Sequence, residues 1–183
     1  MNTREAIYTR RSVRAYKDTP VDKATIDKLF DAATKAPSAR NSQPWAFGVI
    51  QDKAILKSIA DRSKEFLRKE WGEENMPPYF QDPEFNIFYT ASTLLLILCK
   101  GEGPHAIPDC ALAAQNLMLM AHDMGLGTCW IGLSQGFLNT PEAKKELGIP
   151  ENWVVAAPII VGWPDGETPE KEREPVEVVF WKA

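Results

Sequence analysis

Histidine and cysteine are scarce in this chain, with two of the first and three of the second among 183 residues. Cys99, Cys110 and Cys129 are odd in number and form no C-x-x-C pair, which argues against a disulfide framework and against a zinc or iron–sulfur centre. Each reads as a small buried hydrophobe. A nucleophilic thiol at Cys129 is disfavoured, because no neighbour in the sequence supplies the base that would lower its pKa. With His105 and His122 as the only imidazoles, histidine acid–base catalysis has little to rest on. No apolar run approaches the roughly 20 residues of a membrane span. The longest, residues 94–99, is a strand-sized segment, and no N-terminal stretch joins basic residues to an apolar core. A soluble, cytoplasmic protein is expected, with no membrane partner. Positive charge is also in deficit, 21 Lys and Arg against 25 Asp and Glu, so a nucleic-acid partner is not expected either. Gly125-Leu126-Gly127 lacks both the Rossmann spacing and the P-loop lysine, and reads as the glycine closure of a preceding helix.

Against that deficit, Arg10-Arg11-Ser12-Val13-Arg14 packs three guanidiniums and a hydroxyl into five residues. A guanidinium is always charged and presents a planar fork matched to phosphate oxygens, so the cluster points to a bound phosphate monoester. The plainer alternative is a solvated helix end with arginines in surface pairs. A second segment, Pro37-Ser38-Ala39-Arg40-Asn41-Ser42-Gln43-Pro44-Trp45, sets small polar side chains and two carboxamides between prolines. Carboxamides both donate and accept, which suits a heterocycle edge. An ordinary connection, with Asn41 and Gln43 satisfying nearby backbone, is the alternative.

Apolar spacing predicts helices over residues 3–9, 22–35, 53–68, 108–124 and 141–147, and strands over 45–50, 93–99, 128–131, 153–161 and 176–181. The 108–124 helix is apolar around most of its circumference and needs a deep core or a subunit interface to cover it. Its Met118, Met120 and Met124 read as packing rather than as a cofactor box. Residues 71–88 carry five aromatics among prolines and acids with no sustained period, which makes them either a lid or a surface excursion that tucks aromatics into the core. Without repeated βαβ units the pattern is α+β, in one domain over residues 1–183.

The arginine segment and the 37–45 segment occur in this order, followed by DCALAAQNLMLMAHDMGLGTCWIG over residues 109–132 and by Lys171-Glu172-Arg173-Glu174-Pro175 ahead of Val176-Glu177-Val178-Val179. Together they resemble the FMN-dependent nitroreductase family over nearly the whole chain. The resemblance implies a three-layer fold with a central mixed, mainly antiparallel sheet flanked by helices. It also implies a homodimer in which the 171–183 tail exchanges its strand onto the partner's sheet. Arg10, Arg11 and Ser12 would lie along the ribityl chain and phosphate, with Lys171 and Arg173 closing on the phosphate. Arg14 would face the pyrimidine edge, where a fixed cation favours the negative charge of reduced flavin. Asn41 and Gln43 would bond the ring's polar edge or the ribityl oxygens, and Pro37, Ser38 and Ala39 would touch the flavin of the opposite subunit. A backbone N–H from Ile131, Gly132 and Leu133 would approach flavin N5.

No protein side chain is expected to be catalytic, since the flavin itself carries the hydride. The implied activity is ping-pong transfer from NADH or NADPH, bound transiently over the FMN, to a flat electron-poor aromatic acceptor such as a nitroaromatic or a quinone. Two other readings stay open: a non-catalytic FMN storage protein, and a family relative with another flavin reaction such as dehalogenation or flavin breakdown.

Overall fold

The segment TLLLILC has no polar alternation, the pattern of a strand covered on both faces. In the computed structural model, which describes residues 1–183, it forms β2 (Thr93–Cys99), and all seven residues are buried. It pairs antiparallel with β1 (Trp45–Ile50) on one side and β4 (Val154–Gly162) on the other. The short strand β3 (Gly127–Trp130) completes the order β1-β2-β4-β3, also antiparallel to β4. Parallel character is confined to one isolated bridge, between Ser12 and Thr128.

Strand periodicity sorts β2 between two cores. Leu94, Leu96 and Leu98 pack with Ile59, Phe88 and Leu138, beneath α3 (Lys53–Trp71), α5 (Gly132–Leu138) and α6 (Pro141–Leu147). Leu95, Ile97 and Cys99 pack with Leu29, Ala113 and Leu117, beneath α2 (Lys23–Thr34) and α4 (Ala106–Asp123). The result is three layers, helices on both faces of one sheet. The central helix α4 buries Ala113, Ala114, Leu117 and Ala121 completely, yet it leaves Ile107 and Leu112 exposed. Beside it, α1 (Thr3–Thr9) exposes Ile7 and Tyr8. No helix is long and apolar enough to cross a membrane.

Most predicted elements stand within a few residues of their expected limits. Helix α5 was not expected, because GLSQGFL carries two glycines, each costing about 1 kcal/mol in a helix. Burial of Ser134, Phe137 and Leu138 overrides that propensity. Residues 71–88 form two short 3-10 turns, Glu73–Asn75 and Pro78–Gln81. Met76, Phe80, Ile87 and Phe88 from this stretch are buried and Phe85 is half-buried, while Trp71 and Tyr79 are exposed, so two of its five aromatics are fully in the core.

The predicted C-terminal strand is not formed within the single chain. Residues 176–181 are exposed and belong to no strand. The reason lies in the sheet edges. The outer edge of β3 is met by the arginine segment, with Val13 N–H donating to Thr128 O at 3.0 Å, and the segment continues past the end of β4, with Lys17 N–H donating to Trp163 O at 2.9 Å. That approach needs a glycine at 127, where a Cβ would meet Val13 at 2.7 Å. Only β1 keeps an open edge.

Candidate functional site

Helix α1 ends at Thr9, and Arg10 leaves it with extended ψ of 131°. The chain then runs along β3 with Val13 buried, Arg10, Arg11 and Ser12 half-buried, and Arg14 exposed. The descending tail meets it there. Arg10, Arg11, Arg14, Lys171 and Arg173 all line one cleft of about 380 Å³, together with Ser12 and a single carboxylate, Glu170. Glu170 is matched by Arg11 at 2.9 Å. Burial, and then the nearby charges of Arg173 and Arg11, hold the Arg10 guanidinium below its usual pKa. Five cations against one carboxylate repel one another in this cleft, an arrangement that a bound anion relieves.

Arg14 donates its Nε–H to the Tyr89 hydroxyl at 3.1 Å and an Nη1–H to Ser12 O at 3.2 Å. Cys129 lies close enough to feel Arg14 and Arg10, cations that only the fold brings beside it. Burial nevertheless outweighs them and pushes the Cys129 thiol up, so it stays protonated and inert. Burial likewise pushes the Cys110 thiol up to about 12. His122 pairs its Nε2 with the Thr9 hydroxyl at 2.7 Å, and burial followed by the charges of Arg10 and Arg11 lowers its pKa. It is therefore neutral near pH 7 and satisfied within the fold. His105 is exposed at the start of α4, and its side chain makes no capping bond.

The 37–43 segment is a strained loop. Arg40, Asn41 and Gln43 have φ of 54°, 55° and 46°, three of the four non-glycine residues in the left-handed region. Such backbone persists only where the surroundings hold it, and it collects at ligand sites. Two backbone bonds, Asn41 N–H to Ser38 O at 2.9 Å and Ser42 N–H to Ala39 O at 3.0 Å, and two side-chain bonds hold it here: Ala39 N–H to Asp109 Oδ2 at 3.0 Å, and Gln43 N–H to Ser38 Oγ at 3.0 Å. The Asn41 and Gln43 carboxamides are exposed, and apart from one 3.5 Å contact from Gln43 Nε2 to Asn41 O they are not spent on the backbone.

Asp109 escaped the sequence reading. Its signal was a carboxylate in the first turn of an otherwise apolar helix, and it is only 6% exposed. Asp109→Ala should leave the Ala39 N–H unpartnered and cost about 1–3 kcal/mol. The check is the denaturation midpoint together with exchange of the Ala39 amide, which should speed up. An unchanged exchange rate would mean that the loop is held by other contacts.

Within one chain the two candidate segments do not meet. Arg10 lies at the His122 end of α4 and the 37–43 loop at the Asp109 end, about 20 Å apart along the helix at its 1.5 Å rise per residue. Ile131, Gly132 and Leu133 follow directly from β3, just beyond Cys129. Ile131 is buried and donates its N–H to Pro158 O at 2.8 Å, while Gly132 is exposed with open space where a Cβ would stand.

A family model described as Nitroreductase family matches residues 7–163. A protein of Archaeoglobus fulgidus bearing an NADH dehydrogenase/NAD(P)H nitroreductase name is 31% identical over 167 residues, 88% of this chain and 84% of that one. A 5,6-dimethylbenzimidazole synthase of Rhodospirillum rubrum is 29% identical over 180 residues, covering 90% and 83%. Among solved structures, a nitroreductase with bound FMN from Bacteroides fragilis superposes with a TM-score of 0.85 at 25% identity, covering 100% of both chains. The matched span takes in the arginine segment, the strained loop and all four strands, and the chain belongs to the nitroreductase family.

Proposed function

We propose that this protein is an FMN-dependent oxidoreductase that passes hydride from NADH or NADPH to a flat, electron-poor acceptor, a nitroaromatic or a quinone. The observation that carries this reading is the cleft in which five cations face one carboxylate. A phosphate dianion fits that donor set, and FMN-bound relatives share the fold.

Arg10, Arg11, Lys171 and Arg173 would hold the phosphate, with Ser12 beside the ribityl chain. Arg14, the exposed guanidinium of the 10–14 segment, would stand at the pyrimidine edge. Asn41 and Gln43 offer uncommitted donors and acceptors for the ring's polar edge or the ribityl oxygens. Pro37, Ser38 and Ala39 would reach the flavin of a second subunit, a reading supported by the length of α4 between the two segments. The Ile131 N–H is committed to Pro158 O, so the backbone N–H groups of Gly132 and Leu133, in the first turn of α5, would orient the reacting edge. When bound, FMN supplies the centre that accepts and returns the hydride. The chain's part is to hold, orient and polarise it.

A homodimer is supported by the exposed apolar residues of α1 and α4, Ile7, Tyr8, Ile107 and Leu112. With no dinucleotide fingerprint in the sequence, donor and acceptor would use one stacking face in turn, which gives ping-pong exchange. The test is direct. Purified protein should be yellow, release FMN rather than FAD on denaturation, and oxidise NADH or NADPH when a quinone or nitroaromatic is added. Colourless protein that fails to bind added FMN would overturn the proposal. Likeness to the 5,6-dimethylbenzimidazole synthase favours, as a second reading, another flavin reaction on the same scaffold. Bound FMN without acceptor-dependent NAD(P)H oxidation would support that one.

A further inference from the structure

The fourth non-glycine residue with left-handed backbone is Tyr89, at φ 54°. A bulky aromatic is an outlier there, so its neighbours must hold it. They do so from three directions. Its N–H donates to Asn86 O at 2.8 Å. Its ring stands edge-on to Phe85 with centroids 6.1 Å apart, and Phe85 in turn packs against Tyr79 and Phe80. The next residue, Thr90, is bonded both ways to Tyr16, accepting from Tyr16 N–H at 2.8 Å and donating to Tyr16 O at 3.1 Å. The strained residue is thus clamped onto the segment that carries Arg14.

What the clamp delivers is a hydroxyl to Arg14. Besides the 3.1 Å bond from Nε, the Arg14 guanidinium carbon lies 5.8 Å from the Tyr89 ring centroid. With Nη1 bonded to Ser12 O, the guanidinium is held at two of its three nitrogens while Nη2 donates to nothing in the chain. An exposed arginine otherwise samples many rotamers, and a ligand must supply the free energy to order it.

We infer that Tyr89 is a positioning residue, which pre-orders the Arg14 guanidinium so that its free Nη2 group meets the pyrimidine edge of bound FMN. The inference rests on the proposed placement of Arg14 at the flavin ring. A cation held in place responds fully to negative charge that appears on reduction, whereas a mobile one averages over positions. Tyr89 therefore strengthens the preference of the site for reduced over oxidised FMN without touching the phosphate.

The test uses FMN-loaded protein and reads the ratio of oxidised to reduced FMN dissociation constants, obtained from the bound and free reduction potentials. Arg14→Ala should lower this ratio about tenfold or more, and Tyr89→Phe, which keeps the ring and loses the hydroxyl, about threefold. In the Arg14→Ala background Tyr89→Phe should change nothing further, since its effect runs through the missing side chain. Separately, the Arg14 Nε–H resonance should exchange slowly in the parent protein and faster in Tyr89→Phe. An unchanged ratio in Tyr89→Phe beside a lowered one in Arg14→Ala would overturn the role of Tyr89. So would an equal Tyr89→Phe effect in both backgrounds, or an Nε–H that exchanges no faster in the variant. An unchanged ratio in Arg14→Ala, with the Nε–H still protected by Tyr89, would instead overturn the placement of Arg14 at the flavin and the inference with it.

Discussion

A chain ending at Glu170 should fail to retain FMN and fail to form a soluble dimer. The missing residues carry two separate contributions. Lys171 and Arg173 are two of the five cations in the cleft. Beyond them, Val176, Val179, Phe180 and Trp181 are 91%, 85%, 72% and 86% exposed in the single chain. A run of apolar side chains this exposed is a candidate interaction surface. Full burial of each is worth about 1.5–3 kcal/mol, so the four together rival the roughly 5–15 kcal/mol of a typical domain.

The open edge of β1 offers the backbone partners these residues lack, and a second copy of the chain is the occupant we propose for it. Light scattering and the flavin absorbance should report aggregation or apo-protein for the truncated chain. For the intact chain, the thermal midpoint should rise with protein concentration, as it does when dissociation accompanies unfolding. A folded, FMN-loaded monomer of either chain at micromolar concentration would contradict both the exchanged tail and the placement of Pro37, Ser38 and Ala39 at a partner's flavin.

Local signals carried much of the architecture. The continuous apolar run of β2, the spacing of Ile26, Leu29 and Ala33 on α2, and Pro141 and Gly148 bracketing α6 each declare an element without help from the rest of the chain. The candidate cations were legible for the same reason, because arginines concentrated in an acidic chain need an explanation. What stayed hidden depends on contacts distant in sequence. Asp109 meets Ala39 across 70 residues, and Arg14 meets Tyr89 across 75. Neither spacing carries a period or a motif. Cys129 shows the limit most clearly: its sequence neighbours offer no cation, the fold brings two, and burial then outweighs both. Helix α5 failed for the opposite reason, since its glycines signal a loop and only tertiary burial overrules them.

Arg173→Ala should weaken FMN binding about 10–150-fold, the span of one charge-assisted bond of roughly 1.5–3 kcal/mol. Its effect on stability should depend on the ligand. Without FMN, Arg173 contributes repulsion: its charge is one of the factors that lower the Arg10 pKa, and its own side chain is exposed. Removing it should leave the apo-protein as stable as before or slightly more so, as expected where a binding site concentrates like charge. With FMN present the sign reverses, because stabilisation by a ligand grows as the logarithm of its concentration over Kd. At one fixed excess of FMN, a hundredfold loss of affinity removes about 2.7 kcal/mol of that stabilisation. Parallel melts of the parent and Arg173→Ala proteins, apo and FMN-loaded, would separate the two effects. Equal destabilisation in both states would make Arg173 a structural residue of the tail and remove it from the phosphate site.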